Sequence, residues 1–315
     1  MVQSVSKKRA SGTRRVFSRL WRERYLWLMA LPVVAYYIIF SYIPMYGVTI
    51  AFKDYNVGLG ILKSPWADPW YRYFQQFFQS IYCKRLIRNT LLLNIYTLLF
   101  SFPVPIIFAI MLNEVRSVKL RRVMQTVSYM PHFLSTVIVV GILVNFLSLG
   151  DGIVNVFIKA LGGTPIDFIG STRWFRTIYV ASGVWQSFGW NSIVYLAAIT
   201  SINVELYESA RLDGCSRFKE IRYITLPSIA PTIIILLILR FGSMMSVGFE
   251  KVYLLYTPRT YEVSDVISTY VYRAGVTNAQ FSFSTAVDFF NSVINLLLLV
   301  IVNRISRMVS ETSLF

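Results

Sequence analysis

Histidine occurs once in this chain, cysteine twice, and acidic residues 15 times against 31 lysines and arginines. Each scarcity closes off a class of chemistry. The one histidine, His132, follows Pro131, where a structural or interfacial role is the ordinary expectation. No Cys, His or carboxylate residues recur at metal-ligand spacing. Cys83 and Cys215 fall on opposite sides of the membrane in the topology derived below and do not bridge. No glycine-rich loop ends in Lys-Ser or Lys-Thr, so the chain lacks the usual cradle for nucleotide phosphates. A non-catalytic chain with no cofactor of its own follows. Internal repeats and a broken-helix pair, the signs of an ion-coupled secondary transporter, are not evident either.

Apolar residues, by contrast, are abundant: 55% of the chain is hydrophobic and its mean hydropathy is +0.55. They are clustered in runs near the roughly 20 residues that a hydrocarbon core requires. Six spans are predicted, at about 25–52, 88–112, 126–149, 177–202, 228–249 and 284–303. Pro32, Pro44, Pro103, Pro105, Pro131 and Pro231 lie within or at the edges of these spans, where neighbouring helices can satisfy the freed carbonyls. The fold class expected is an all-α polytopic membrane protein. The organisation is a basic arm over 1–24, a transmembrane domain over 25–307 and a tail over 308–315.

Lysine and arginine density sets the orientation. The arm carries Lys7, Lys8, Arg9, Arg14, Arg15, Arg19, Arg22 and Arg24, and the short loop 113–125 packs Arg116, Lys119, Arg121 and Arg122. Positive-inside asymmetry then puts both termini in the cytoplasm. Most of the net charge of +16 falls on these inner segments. There it faces anionic membrane lipid, so it is not read as a nucleic-acid signature. The run after the arm is too long for a signal-peptide core and is read as a retained span.

The outer segments are three. Residues 53–87 are rich in aromatics (Trp66, Trp70, Tyr71, Tyr73, Phe74, Phe77, Phe78), which suits an interface belt or a short helix lying flat. Residues 150–176 are turn-rich, with room for an amphipathic helix at 153–161. Residues 250–283 are polar and carry five tyrosines, among them Tyr253, Tyr256 and Tyr261.

Between the fourth and fifth spans lies the polar stretch 203–227. Asn203 is a plausible N-cap for a helix through Glu205, Leu206, Glu208, Ala210, Arg211 and Leu212. Gly214 fits the left-handed position that ends it. Ser216 is expected to cap a second helix, in which Phe218, Ile221 and Ile224 form an apolar stripe. Leu226-Pro227 is expected to stop that helix, because the residue before proline avoids the α region. The result is two short helices on the cytoplasmic surface, joined by a sharp turn. By residue chemistry alone an ordinary amphipathic loop fits equally well.

The stretch Glu208-Ser209-Ala210-Arg211-Leu212-Asp213-Gly214-Cys215, continuing to Ile224-Thr225-Leu226-Pro227, resembles the EAA loop of binding-protein-dependent ABC importer permeases. The spacing from Gly214 to Ile224 matches, while Ser209 and Cys215 stand where alanine is common. Further stretches resemble the branch that carries oligosaccharides, acidic ones such as alginate or pectin fragments included. These are Pro44-Met45-Tyr46-Gly47, Ala51-Phe52-Lys53-Asp54-Tyr55-Asn56, Arg88-Asn89-Thr90, Leu112-Asn113-Glu114-Val115-Arg116, Gln125 to Phe133, Trp174 to Thr177, and Asp265 to Arg273.

The resemblance implies a type I importer fold and a permease subunit that pairs with a second, related permease. It also implies two ATP-binding subunits, which hold ATP and Mg, and an extracytoplasmic solute-binding protein. It makes Glu208, Ala210, Asp213 and Gly214 part of a coupling helix seated on an ATPase. Phe218, Leu226 and Pro227 belong to the same loop, with Phe218 on the stripe that ties it to the spans. Polar residues within spans are the candidates for the substrate path. Arg240, near the middle of the fifth span, and Asp288, in the outer part of the sixth, either pair with each other or leave Arg240 to meet a substrate carboxylate. Gln186, Trp190, Asn191 and Tyr195 in the fourth span supply sugar contacts or a polar helix seam. Two rivals remain open: a secondary transporter, and a membrane receptor or scaffold that docks an ATPase without transport.

Overall fold

A computed structural model describes residues 23–309, so the basic arm and the tail lie almost wholly outside the described residues. Helix α1 (Arg24–Tyr37) runs on through a wide turn at Ile38–Tyr42 to Phe52 and buries none of its apolar window within the chain. Such a helix needs lipid or another subunit around it. Residues 53–87 follow, and their helix α2 (Arg72–Gln79) is laid on the bundle. Phe77, only 1% exposed, packs against Phe290.

Next come α3 (Cys83–Ser101) and α4 (Pro103–Glu114), then α5 (Val118–Tyr129) and α6 (Thr136–Phe146). The predicted span 126–149 is corrected here. The helix from Val118 to Phe133 and the helix Thr136–Phe146 meet at 98°. Pro131 and the extended Leu134 interrupt the ladder, and Ser135 caps the new helix by accepting from Ile138 N. The chain therefore does contain a broken pair, contrary to expectation. Period and composition miss such a break because both halves are helical.

The longest helices are α7 (Thr172–Thr200) and α13 (Phe281–Val309), each of 29 residues. Among the described residues four helices are long and apolar enough to cross a membrane, or five if the bent pair counts as one span. The predicted fourth span, α7, is long enough at about 1.5 Å per residue but fails on apolarity, because its interior carries Gln186, Ser187, Asn191 and Ser192. It runs through the centre of the bundle. Phe175, Tyr179 and Val180 join one core cluster, while Tyr195 and Ile199 join another with Ala109 and Ile229. Gly189 lets α5 and α7 touch backbone to backbone, since a Cβ there would stand 2.2 Å from the Ser128 carbonyl oxygen.

After α8 (Val204–Leu212) and α9 (Arg217–Glu220), the helix does not stop at Leu226-Pro227 as predicted. It passes through a wide turn, Ile221–Thr225, into α10 (Leu226–Phe241), so that one rod runs from Arg217 to Phe241. A proline in a regular helix clashes with the carbonyl four residues earlier. The wide turn, in which Leu226 N donates to Ile221 O, takes that up. The predicted span 228–249 correspondingly ends at Phe241. The segment read above as outer then folds into α11 (Phe249–Leu255) and α12 (Ile267–Tyr272).

That outer segment is locked to α3 by buried polar bonds. Asp265 is fully buried and accepts from Arg85 at 3.2 Å, Arg273 at 2.9 Å and the Thr269 hydroxyl at 3.0 Å. Asn89 donates to the Glu262 and Asp265 carbonyls at 2.9 and 3.0 Å, and Thr90 Oγ1 accepts from Ile267 N. Two stretches quoted separately for their resemblance, Arg88 to Thr90 and Asp265 to Arg273, thus form one contact. Buried charge is tolerated here because it is paired and hydrogen-bonded.

Candidate functional site: a surface turn and an interior cavity

The turn after α8 is built as its residues require. Asn203 Oδ1 accepts from Glu205 N at 3.0 Å, capping α8. Gly214 sits at φ +73, and Cys215 N donates to Ala210 O at 2.8 Å, closing the helix in a left-handed cap. Arg211 then grips the buried Glu220 with two bonds, at 3.0 and 3.3 Å, and Tyr207 and Thr225 share a hydroxyl bond at 2.9 Å. Arg217 reaches Glu114 at the end of α4, at 2.6 Å. These contacts make α8, the turn and α9 one stiff piece, continuous with the rod to Phe241.

Two expectations about this piece are corrected. Ser216 stands at the N-cap but makes no cap bond. Phe218 does not tie the second helix to the spans, because its side chain is 72% exposed. The tie is ionic, through Glu220 and Glu114, and no periodic signal reveals it because the partners lie on separate elements. Glu208, Asp213 and Gly214 are exposed, Ala210 is half-buried, and Leu226 and Pro227 lie on the outside of the rod. With Leu212 at 90% exposure, the piece presents a surface of apolar tips and charges that nothing among the described residues covers.

The second feature is a cavity of about 490 Å³ between α3, α7, α10 and α11. Helical spacing puts Tyr179, Gly183, Gln186, Asn191 and Tyr195 on the α7 side. Thr97 and Ser101 face them from α3, and Arg240 and Lys251 supply the only charges in the lining. Gln186 also donates to Leu134 O at 3.0 Å across the broken pair, so it serves wall and seam together. Tyr195, 3% exposed, packs edge-on to Phe102.

Four of the six residues proposed for a substrate path therefore meet at one cavity: Gln186, Asn191, Tyr195 and Arg240. Trp190 does not, for it stacks on His132 with ring centroids 4.6 Å apart. Asp288 lies outside the lining, and among the described residues no ion pair joins it to Arg240. Arg240 itself belongs to the last turn of α10 rather than the middle of a span, because the helix ends at Phe241. Lys251 went unrecognised, since it falls in a stretch read as an outer loop. Its ammonium donates to Tyr179 O at 3.0 Å and sits 5.1 Å from that ring's centre. Burial lowers its pKa from 10.5 to about 8.

Comparison with known proteins agrees with this architecture. Residues 101–311 match the family of binding-protein-dependent transport system inner membrane components. Protein LplB of Bacillus subtilis is 44% identical over 296 residues, covering 94% of this chain and 92% of the relative. The polygalacturonan/rhamnogalacturonan transport system permease protein YteP of the same organism is 41% identical over 302 residues, covering 96% and 94%. A crystal structure of a bacterial ABC transporter involved in the import of the acidic polysaccharide alginate superposes with a TM-score of 0.86 at 44% identity, covering 94% of this chain and 99% of that one. A second, of a bacterial alginate ABC transporter in complex with an alginate pentasaccharide-bound periplasmic protein, gives 0.87 at 44% identity over 95% and 100%. This chain belongs to the family of binding-protein-dependent transport system inner membrane components.

Proposed function

We propose that this chain is the permease subunit of an ATP-driven importer for acidic oligosaccharides, and that residues 203–227 couple it to an ATP-binding subunit. The single observation that carries the substrate class is the cavity's charge. Its lining holds Arg240 and Lys251 and no carboxylate, beside the hydroxyls, amides and rings that sugars favour. A guanidinium offers a uronate two parallel bonds, and an ammonium kept partly dry binds an anion more strongly than a solvated one. The names of the relatives support the same class.

Import needs more than this chain. The proposed assembly adds a second related permease, two ATP-binding subunits that supply ATP and Mg, and an extracytoplasmic solute-binding protein, with both termini of this chain in the cytoplasm. The stiff piece from Val204 onward is continuous with the rod to Phe241, whose last turn carries Arg240. A push on the exposed turn at Gly214 therefore moves the wall of the cavity as one body. Glu208 and Asp213 offer charge to the ATPase, and Leu212 and Phe218 offer apolar tips.

The test is ATP hydrolysis by the purified transporter in nanodiscs, with its binding protein and a panel of acidic and neutral oligosaccharides. Acidic oligomers are expected to stimulate hydrolysis, and Arg240→Gln is expected to lower that stimulation about tenfold, the loss of one charge-assisted contact of ~1.4 kcal/mol. Equal loss for neutral and acidic sugars would give Arg240 a structural role instead. An assembled complex that no sugar stimulates would point to a docking scaffold.

A further inference from the structure

A larger cavity lies on the other side of α7. It is a groove of about 770 Å³ between α3–α4 and α7, walled by Phe100, Val104, Trp185 and Phe188. Its lining is apolar except at one end, where Arg173 and Arg176 stand in the first turns of α7. That end is opposite the loop 203–227, which on the topology proposed above makes it the outer headgroup level.

We infer that this groove holds one anionic phospholipid of the outer leaflet, its phosphate on Arg173 and Arg176 and an acyl chain along Trp185 and Phe188. Three observations select that occupant. The polarity is divided as in an amphiphile, with cations at the interface and rings below. The length agrees: Arg176 and Phe188 are twelve residues apart, ~18 Å along a helix, against the ~15 Å that half of a hydrocarbon core spans. Donors face the groove, because the Arg173 side chain is exposed and the half-buried Arg176 is held at Nη2, which reaches Asn89 Oδ1 at 3.3 Å. Arg88 adds positive charge at this end, against Glu262, the acid whose field reaches Arg176. A phosphate takes two guanidinium bonds at once, which an apolar helix seated in the groove would leave unmade.

Trp185 on the wall provides the readout. The complete transporter would be placed in nanodiscs of phosphatidylcholine containing a minor share of dibrominated phosphatidylglycerol or, separately, of dibrominated phosphatidylcholine. Because the chain has 7 tryptophans, the signal of Trp185 is taken as the difference between the parent and Trp185→Phe. Quenching is expected to be at least twofold stronger with the brominated anionic lipid. In Arg173→Gln, whose side chain pairs with no other element among the described residues, that preference is expected to fall to one. Arg173→Gln/Arg176→Gln serves as the stronger variant if it folds. Equal quenching by both lipids would reduce the groove to bulk lipid contact. No quenching of Trp185 would mean that another subunit fills it. Either result overturns the assignment.

Discussion

The two ends of the bundle are finished differently. At the end away from the loop 203–227, the outer end on the topology proposed above, Asp265 is fully buried with two arginines and a threonine on its carboxylate, and Asn89 satisfies two backbone carbonyls. At the inner end only the hidden face is satisfied, through Arg211–Glu220 and Arg217–Glu114, while Leu212 and Phe218 stand in the open. The buried pairs of the outer end hold its own fold together. The inner end is stiff and apolar at its tips, and its stiffness lets a partner's force reach the cavity instead of being absorbed in the turn.

The largest effect is expected from breaking the outer lock. Asp265→Asn removes the buried carboxylate that the half-buried Arg85 and Arg273 share, and leaves their donors short of an acceptor, a change that costs about 1–3 kcal/mol. The purified subunit should unfold at a markedly lower temperature in detergent, and its accumulation in the membrane should fall. An unchanged thermal midpoint would remove the contrast between the two ends.

At the inner end the same kind of assay should register almost nothing. Leu212→Ser with Phe218→Ser alters exposed tips, so the isolated subunit's stability should stay within about 0.5 kcal/mol of the parent. Co-purification of the ATP-binding subunits should nevertheless drop severalfold. A stability loss equal to that at the outer end would mean that these side chains pack within the subunit.

The smallest effect sharpens the link between the turn and the cavity. Lys251, held by burial to a pKa of about 8, is charged at pH 7 and neutral at pH 9. Affinity for an acidic oligomer should therefore fall as pH rises through about 8, by a fewfold, and Lys251→Arg should abolish that dependence. A flat profile in the parent would take Lys251 out of the binding site.

Much of this was legible in the sequence, and the remainder has physical reasons. Apolar runs located α1, α3 and α13, and the cap residues Asn203 and Gly214 located the surface turn, because capping is a local property. The break near Pro131 and the continuation through Pro227 were not legible. A proline can end a helix or be absorbed by a wide turn, and only the neighbouring backbone decides which. The partners of Glu220 and Asp265 were hidden for a different reason: each pairing joins separate elements, up to 180 residues apart. Lys251 escaped because a short helix between spans was taken for an outer loop. Arg240 was found but misplaced, since a long apolar run does not reveal where its helix ends.

On the proposed function, the inner turn transmits work that the rest of the subunit does not need for its own fold. Sugar uptake into proteoliposomes by a transporter carrying Glu208→Lys and Gly214→Pro tests it most directly. The expected result is a subunit that is inserted and assembled in the membrane with its permease partner, yet with uptake lost. Uptake at the parental rate would contradict it.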